Sequence, residues 1–322
     1  MIISKTPLRI SFAGGGSDLP SYYSQEPGKV ISTSINKYVY VIIKKRFDDM
    51  IYINYSKKEI VSDVDQIEHD LVRESMKRTG IKNGVEITTL SDIPSSGSGL
   101  GSSSAITVGL LNAMYNYKNT IKNQEDLAEE ACQIEIDICK NPIGKQDQYG
   151  CAIGGLKKIK FNSNGIVETE KIPYAHSSNL ERNLYLCYTN ITRSANVILS
   201  KQSKSSKKNK SQNHLIIKSV EEFKKILFSK DIDEVGIFLD KAWKLKKEMS
   251  EGITNQEIEK LYLEGKKAGA IGGKILGAGG GGFILFYVPR NSQQVFEQEM
   301  IKHTFLNFTF EKHGSKIIFS EG

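Results

Sequence analysis

The sequence predicts a soluble protein of two domains, each built from both strands and helices. The chain has 322 residues, which is enough for two domains of ordinary size with separate cores. The first half opens with β-prone runs, the second half is richer in helical periodicity, and the composition becomes loop-like near residues 173–183, which places a domain boundary around 165–180. We therefore predict an N-terminal domain over residues 1–172 and a C-terminal domain over residues 173–322.

Composition excludes several classes of protein. A hydrophobic content of 39% with 25% charged residues argues against disorder. No apolar run approaches the roughly 20 residues needed to span a bilayer. Residues 1–9 lack the basic and apolar regions of a signal peptide. We expect a cytoplasmic protein with no membrane partner.

The cysteines and the net charge narrow the possible partners. Cys132, Cys139, Cys151 and Cys187 form no Cys-x-x-Cys pair and have few histidines around them, so reduced thiols are expected rather than a zinc site. A net charge of +7 favours anionic partners: a nucleotide, a phosphorylated metabolite or nucleic acid. Charge alone does not choose among these three.

The first strand leads into a glycine-rich turn. Residues 2–12 alternate and are β-prone, and residues 13–20 form the turn, which Arg9 and Asp18 flank. The two charged residues are candidates for a site, but a surface arginine and a helix-capping aspartate are the alternative interpretation. Further strands are predicted over 29–44, 50–55 and 84–93, and a helix over 69–79.

A second glycine-rich segment, residues 94–105, joins the strand at 84–93 to a helix. Gly97, Gly99 and Gly101 allow positive φ and a close approach of the backbone to a ligand. The first amides of the following helix favour an anion, so the segment is a candidate phosphate cradle, with a plain Gly/Ser loop as the alternative. It is not a Walker A loop, because no lysine follows the last glycine. Ser102 and Ser103 could cap the helix or offer a hydroxyl to Mg²⁺.

A candidate catalytic carboxylate follows the next predicted helix, at 123–139. That helix has one apolar face and many acidic residues elsewhere, and it stops at the proline and glycine of 140–144. Asp147 follows in a glycine-flanked loop, where a carboxylate is easily presented to a cleft. An ordinary turn aspartate is the alternative.

The second half combines helices with three strands and a lysine-rich run. A helix beginning within 191–200 continues into lysines at 201–210, with no acidic residue among them, which is typical of a solvated loop. Because no aromatic residues interleave with these lysines, we expect no nucleic-acid partner. Helices are predicted over 216–227, 235–243, 255–270 and 295–303, with Trp243 in the core, and strands over 184–188, 283–288 and 316–319.

The third glycine-rich segment lies at 277–282. It matches Gly-x-Gly-x-x-Gly, but a strand follows it rather than a helix, so its context does not fit a dinucleotide-binding turn. We interpret it as a close-packing loop near a ligand.

Taken together, the three glycine-rich segments, in this order, resemble those of the GHMP kinases, the superfamily of galactokinase, homoserine kinase, mevalonate kinase and phosphomevalonate kinase. The resemblance implies an α+β, two-domain GHMP kinase fold. Its N-terminal domain would resemble ribosomal protein S5 domain 2, its C-terminal domain would be ferredoxin-like, and the active site would lie between them.

The same resemblance implies residue roles for an ATP- and Mg²⁺-dependent kinase. Asp147 matches a catalytic aspartate, and Arg9 stands where the family keeps a basic residue that activates the acceptor hydroxyl or stabilises the transferring phosphoryl group. Ser102 or Ser103, together with Glu135, matches the Mg²⁺ ligands. The implied ATP-binding residues are Pro94, Ser96, Gly97, Ser98, Gly99, Leu100, Gly101, Ser102 and Ser103.

Within the superfamily, the opening of the chain, the Gly-Lys-Gln-Asp-Gln-Tyr segment at 144–149 and residues 190–195 look most like the D-glycero-D-manno-heptose 7-phosphate kinases. This implies phosphorylation of an anomeric hydroxyl, on the route to nucleotide-activated heptose for surface polysaccharide. L-fucose kinases share much of the pattern and are the main alternative. A catalytically silent member that binds nucleotide or sugar is another.

Acceptor binding is assigned to a separate set of residues. Asp18 matches the position at which sugar kinases of the family bind acceptor hydroxyls. We also expect the acceptor to carry a phosphate, held by Arg193 and by Lys5 or a lysine of 201–210, although Arg193 is equally plausible as a surface residue. The full set of predicted acceptor-binding residues is Asp18, Gly16, Ser17, Arg193, Gly279 and Gly280.

Overall fold

The computed structural model describes residues 1–94, 97–173, 178–192, 198–200 and 210–321 of the chain. The strands in this part are β1 (Ile2–Ala13), β2 (Gly28–Lys45), β3 (Ile51–Asn54), β4 (Lys58–Val61), β5 (Val85–Ser91), β6 (Lys157–Phe161), β7 (Val167–Lys171), β8 (Leu184–Tyr188), β9 (Gly272–Ile275), β10 (Phe283–Tyr287), β11 (Phe305–Leu306), β12 (Phe310–Glu311) and β13 (Lys316–Ser320).

Helices cover the faces of the sheets that these strands form. They are α1 (Pro20–Tyr23), α2 (Asp70–Thr79), α3 (Ser102–Tyr117), α4 (Gln124–Cys132), α5 (Gln146–Ile153), α6 (Ser178–Glu181), α7 (Lys210–Leu227), α8 (Glu234–Lys247), α9 (Gln256–Lys267) and α10 (Gln293–Glu299). The other strands and helices predicted from the sequence are present, with ends shifted by a few residues, whereas the helix expected to begin within 191–200 lies largely outside the described residues.

The larger sheet carries the first half of the chain. Its main path runs β13-β1-β2-β5-β3-β4, β6 and β12 also pair with β2, and β7 pairs with β6. All these pairs are antiparallel except β3 with β5. The inner end of β1 is buried on both faces, because α3, α5 and α7 pack against β1 and β2. The side chains at the end of β1 are therefore held rigidly.

The smaller sheet belongs to the second half and has the antiparallel order β11-β8-β10-β9. Helix α8 packs against β9 and β10, and Trp243 on α8 is 1% exposed, which confirms that it is a core residue. The ring of Phe223 on α7 stacks on Phe12 of β1 with a centroid distance of 5.1 Å. One hydrophobic core thus continues from the first sheet into the helices of the second half.

The last strands return to the larger sheet. Phe310 of β12 pairs with Ile35, and Ser320 of β13 pairs with Ile2. Residues 310–320 therefore complete a sheet that the first half began. The division at 172/173 stays a prediction, since pairing in the sheet does not follow it at this end of the chain.

Three local details of the structure differ from the predictions. The helix expected over 123–139 is α-helical only to Cys132, and Gln133–Ile138 is wound as a π-helix. Asp147 was expected in a loop, but it lies in the first turn of α5. Ser102 and Ser103 do not cap α3 either, since its N-cap is Gly101, without a side-chain cap.

Two further observations concern the molecule as a whole. The four cysteines are free thiols, and Cys132, Cys151 and Cys187 are buried. Within the ranges described above, no helix combines the length and the apolar character needed to cross a lipid bilayer.

Candidate active site

A cavity lies where the two sheets and the central glycine-rich segment meet. Its wall is formed by the end of β1, the turn at 14–16, residues 97–99 and 101–103, the start of α5, and side chains of α7, α8 and β9. The first and second glycine-rich segments of the sequence both reach this wall. Of the third segment, the wall includes Gly277 and Ala278.

Arg9 and Asp147 form an ion pair at this cavity. Arg9 Nε and Nη2 donate to the two oxygens of Asp147 at 2.8 and 2.7 Å, and Nη1 donates to Gly99 O at 2.6 Å. The arginine side chain is 2% exposed, whereas the aspartate side chain keeps 27% of its surface exposed. This bidentate, charge-assisted geometry fixes the carboxylate and leaves part of it open to a ligand.

Asp18 lies at the same cavity and is held by backbone amides. Its Oδ1 accepts from the Gly16 amide at 2.9 Å and its Oδ2 from the Gln146 amide at 3.3 Å. Burial, with a smaller contribution from nearby Asp147, raises the pKa of Asp18 from 3.8 to about 6. Gly144 permits this close approach, since a Cβ there would come within 2.0 Å of Asp18 Oδ2. The two candidate carboxylates therefore sit in different environments.

The central segment has the backbone expected for a cradle. Gly97, Gly99 and Gly101 have φ values of 71°, 74° and 79°, a region open mainly to glycine. A Cβ on Gly99 would lie 2.7 Å from Leu276 O, and a Cβ on Gly277 would lie 2.5 Å from Gly99 Cα. The second and third glycine-rich segments therefore touch backbone to backbone.

Not every predicted ATP-binding residue reaches the wall. Leu100 is fully buried and Pro94 is exposed, and neither lines the cavity; Ser96 lies outside the described residues. Ser98, Ser102 and Ser103 do line it, and the hydroxyls of Ser98 and Ser102 are 2.9 Å apart.

Glu135 is fully buried beside the cavity rather than on its wall. Its carboxylate accepts from Ser104 Oγ at 3.2 Å and from Gln148 Nε2 at 3.0 Å, and burial raises its pKa to about 7. The predicted partner Ser102 instead bonds Ser98. A buried carboxylate surrounded by neutral donors lacks charge compensation, and a hydroxyl-lined neighbourhood offers the oxygen ligands that Mg²⁺ takes. Glu135 with a nearby serine thus fits a magnesium ion.

Several residues that were predicted to bind the acceptor substrate contact other parts of the protein instead. Ser17 Oγ lies 2.7 Å from Gly14 O and 2.9 Å from Lys29 O, so its hydroxyl fixes the turn. The Gly280 amide donates to Ile253 O at 2.8 Å, and neither Gly280 nor Gly279 lines the cavity.

Of the residues expected to hold a phosphate of the acceptor, Lys5 does not line the cavity. Lys5 Nζ lies over the ring of Tyr38, 3.7 Å from its centroid, away from the wall. Arg193 and residues 201–209 lie outside the described residues.

Gln146, Lys246 and Lys274 line the wall but were not among the predicted site residues. The Gln146 side chain accepts from Ser11 Oγ at 2.9 Å, and its neighbour Asp147 was the only residue singled out in that turn. Lys246 and Lys274 bring ammonium groups to the cavity from α8 and β9. Lys274 stands in a glycine-rich run that could have drawn attention to it, whereas nothing distinguishes Lys246 from the other lysines of its helix.

Comparisons with known proteins agree with this geometry. Residues 52–155 match the N-terminal domain of GHMP kinases, and residues 219–304 match the C-terminal domain. The chain is 31% identical to the D-glycero-alpha-D-manno-heptose 7-phosphate kinase of Campylobacter jejuni, over 98% of both chains. It is 27% identical to the bifunctional fucokinase/GDP-fucose pyrophosphorylase of Arabidopsis thaliana, matching over 87% of its own length but only 29% of that longer protein.

A solved structure has the same architecture. The crystal structure of a D-glycero-D-manno-heptose 1-phosphate kinase from Bacteroides thetaiotaomicron is 26% identical and superposes over 100% of both chains with a TM-score of 0.81. Fold, sequence and the arrangement of charged groups around the cavity lead to one conclusion: the chain belongs to the GHMP kinases and is a phosphotransferase with an alcohol group as acceptor.

Proposed function

We propose that this kinase transfers the γ-phosphoryl group of ATP to the anomeric hydroxyl of D-glycero-D-manno-heptose 7-phosphate, giving the 1,7-bisphosphate. The relative from Campylobacter jejuni supports this choice of acceptor. Such a product would feed nucleotide-activated heptose into surface polysaccharide. We place the reaction in the cytoplasm.

The observation that carries the proposal is the Arg9–Asp147 pair between the glycine cradle and Asp18. Phosphoryl transfer needs mainly positioning and charge stabilisation. The amides at the start of α3 would bind the ATP phosphates, and Asp18 would accept hydrogen bonds from hydroxyls of the acceptor. Arg193 is retained as a proposed contact to the acceptor's phosphate.

In the chemical step, the acceptor hydroxyl loses its proton to the Asp147 carboxylate while its oxygen forms a bond to the γ-phosphorus. The bond from that phosphorus to the bridging oxygen breaks, and ADP leaves. Arg9, fixed by Asp147 and Gly99 O, offsets negative charge on the transferring group.

Ser102 or Ser103 and Glu135 would hold Mg²⁺. When bound, the metal ion supplies further charge compensation on the phosphate oxygens.

One acceptor panel tests the proposal. Product formation is measured with ATP and Mg²⁺ and with D-glycero-D-manno-heptose 7-phosphate, L-fucose, galactose or mannose, and ³¹P NMR locates the new phosphate. We expect turnover with the heptose phosphate alone, at the anomeric carbon, and its loss when EDTA removes the metal. Turnover with L-fucose instead would favour the function of the Arabidopsis thaliana relative.

A further inference from the structure

Two lysines from the second half of the chain face the cavity with spare hydrogen-bonding capacity. Lys274 Nζ donates to Phe12 O at 2.8 Å and to Ser11 O at 3.2 Å. Lys246 Nζ donates to Ile275 O at 3.1 Å and to Gly277 O at 2.5 Å. Because an ammonium group has three donors, each lysine retains one N–H for a ligand.

The two ammonium groups also have no directly paired carboxylate within the described part of the chain. Among the described residues neither forms an ion pair with a carboxylate, and the one strong pair at the cavity, Arg9–Asp147, is already complete. Burial and then Arg9 lower the pKa of Lys274 to about 8. Burial, Lys274 and Arg9 lower the pKa of Lys246 well below its ordinary range, and the carboxylates of Asp18 and Asp147 offset only part of this effect. Cationic groups that line one cavity and have limited contact with water are stabilised by a bound anion.

We propose that Lys246 and Lys274 form a subsite for the phosphate group that the acceptor already carries. This inference rests on the proposed function and adds to it the residues that would bind the acceptor's phosphate. It also replaces Lys5 as the expected lysine, since Lys5 is engaged with Tyr38 away from the cavity.

The contacts of Lys274 favour the acceptor over ATP as the source of that phosphate. Its ammonium group bonds the carbonyls of Ser11 and Phe12, at the end of the strand that leads into the turn before Asp18. The Ser11 hydroxyl donates to the side-chain oxygen of Gln146, and the backbone N–H of Gln146 donates to Asp18 Oδ2. Lys274 is thus connected by hydrogen bonds to Asp18, the carboxylate proposed to bind the acceptor. The ATP phosphates, by contrast, would be bound by the backbone amides of the glycine cradle.

The test is a comparison of Michaelis constants in Lys246→Met and Lys274→Met, which keep the length of the side chain and remove its charge. A hydrogen bond to a charged group is worth about 1.5–3 kcal/mol, so we expect KM for D-glycero-D-manno-heptose 7-phosphate to rise roughly 10- to 100-fold in each variant. KM for ATP should change by less than about threefold. Lys246→Arg should recover part of the loss, because it restores the charge.

Lys241→Met is the matched control on the same helix. Its side chain is 60% exposed and pairs with Glu222, away from the cavity, so both Michaelis constants should stay at their wild-type values. Circular dichroism and thermal melting check that each variant folds. If Lys274→Met does not fold, Lys246→Met and calorimetric titration of the heptose phosphate without ATP decide the question.

Results that contradict the subsite differ from results that contradict the proposed function. A rise in KM for ATP as large as that for the acceptor, or a loss of kcat with an unchanged acceptor KM, would assign the lysines to the transferring phosphoryl group instead. If the wild-type enzyme phosphorylates the heptose phosphate and both variants keep its KM, only the subsite is wrong. If the wild-type enzyme does not phosphorylate it, the proposed function fails first and the subsite fails with it.

Discussion

Asp147 is positioned by a residue far away in the sequence, and its chemistry depends on that contact. Arg9 holds both of its oxygens, so the carboxylate has one orientation and cannot rotate away from the cavity. A carboxylate that is fixed but partly exposed suits a group that must receive a proton from a bound hydroxyl.

Asp147→Asn should lower kcat by about 10²- to 10⁴-fold, the usual contribution of a general base, with little effect on ATP binding. Asparagine keeps the size of the side chain but does not accept the proton. Steady-state kinetics and calorimetric ATP titration measure the two effects. Asp49→Asn, at an exposed position, is the control and should retain full activity. An Asp147→Asn enzyme with more than a tenth of the wild-type kcat would exclude the catalytic role.

The raised pKa of Asp18 predicts that kcat/KM for the acceptor depends on pH. Its pKa is raised to about 6, so the ionised carboxylate, which we propose accepts hydrogen bonds from the acceptor's hydroxyls, forms only as pH rises through that value. We expect kcat/KM for the acceptor to rise between about pH 5 and pH 7. Asp18→Asn should be less active and should lack this rise, and an unchanged profile in the variant would assign the titration to another group.

The raised pKa of Asp18 also affects stability. Its contribution to the free energy of unfolding changes with pH in the opposite direction to kcat/KM for the acceptor. The folded pKa lies above the ordinary value of 3.8, so the folded state favours protonated Asp18. As pH rises from about 4 through about 6, the unfolded chain releases this proton before the folded chain does. The contribution of Asp18 to the free energy of unfolding therefore falls over that interval, and Asp18→Asn removes the dependence.

Among the secondary-structure elements, the loop before α3 depends on the loop between β9 and β10. Gly99 and Gly277 pack so closely that neither has space for a Cβ. The two loops come from opposite halves of the chain, so the shape of the proposed phosphate cradle is set by both halves rather than by its own sequence.

Gly99→Ala should therefore impair ATP binding. The new methyl group would meet Leu276 O at 2.7 Å, and the positive φ adds about 1–2 kcal/mol of strain. We expect KM for ATP to rise roughly tenfold or more, since small displacements in such sites are costly. Gly165→Ala is the matched control: φ is +84° there, but nothing lies within 4 Å of the added Cβ. Equal KM values in the two variants would contradict the role of the contact.

The π-helical turn Gln133–Ile138 shows how an irregular element serves the site. It directs Glu135 inward, where Ser104 and Gln148 bind its carboxylate. π-helical turns occur often at functional sites, and the residues that form one carry no periodic pattern of their own. The sequence therefore predicted the candidate ligand but not the winding that presents it.

At the scale of the whole molecule, the two halves share a core beside the cavity. Phe12 and Phe223 are fully buried and stack on each other, and Phe223 also contacts Phe238 of α8 with a centroid distance of 4.8 Å. Helices α7 and α8 are thus anchored to β1, the strand that carries Arg9. Loosening this contact should disturb the cavity as well as the fold.

Phe223→Ala should lower the free energy of unfolding by about 3–5 kcal/mol, the usual cost of removing a buried phenyl ring. Chemical denaturation measures it, and acceptor KM should rise in parallel because α8 also carries Lys246. Phe47→Ala, at a side chain that is 97% exposed, is the control and should change stability by less than about 0.5 kcal/mol. A similar loss in both variants would show that Phe223 does not join the halves.

Features that depend only on residues close together in the sequence were predictable from it. The positive φ values of Gly97, Gly99 and Gly101 and the strands and helices around them follow from local residue types. The order of the three glycine-rich segments was enough to place the chain in its family. Local chemistry decides these features, so the chain itself displays them.

Only the tertiary structure decided which distant groups meet. It pairs Arg9 with Asp147. It places Glu135 within hydrogen-bonding distance of Ser104 rather than Ser102. It also brings Lys246 and Lys274 to one cavity. Such contacts depend on how sheets and helices pack, and lysines that look alike in sequence differ only in where that packing places them. The family and its chemistry were therefore determined by the sequence alone, while the composition of the cavity was determined by the fold.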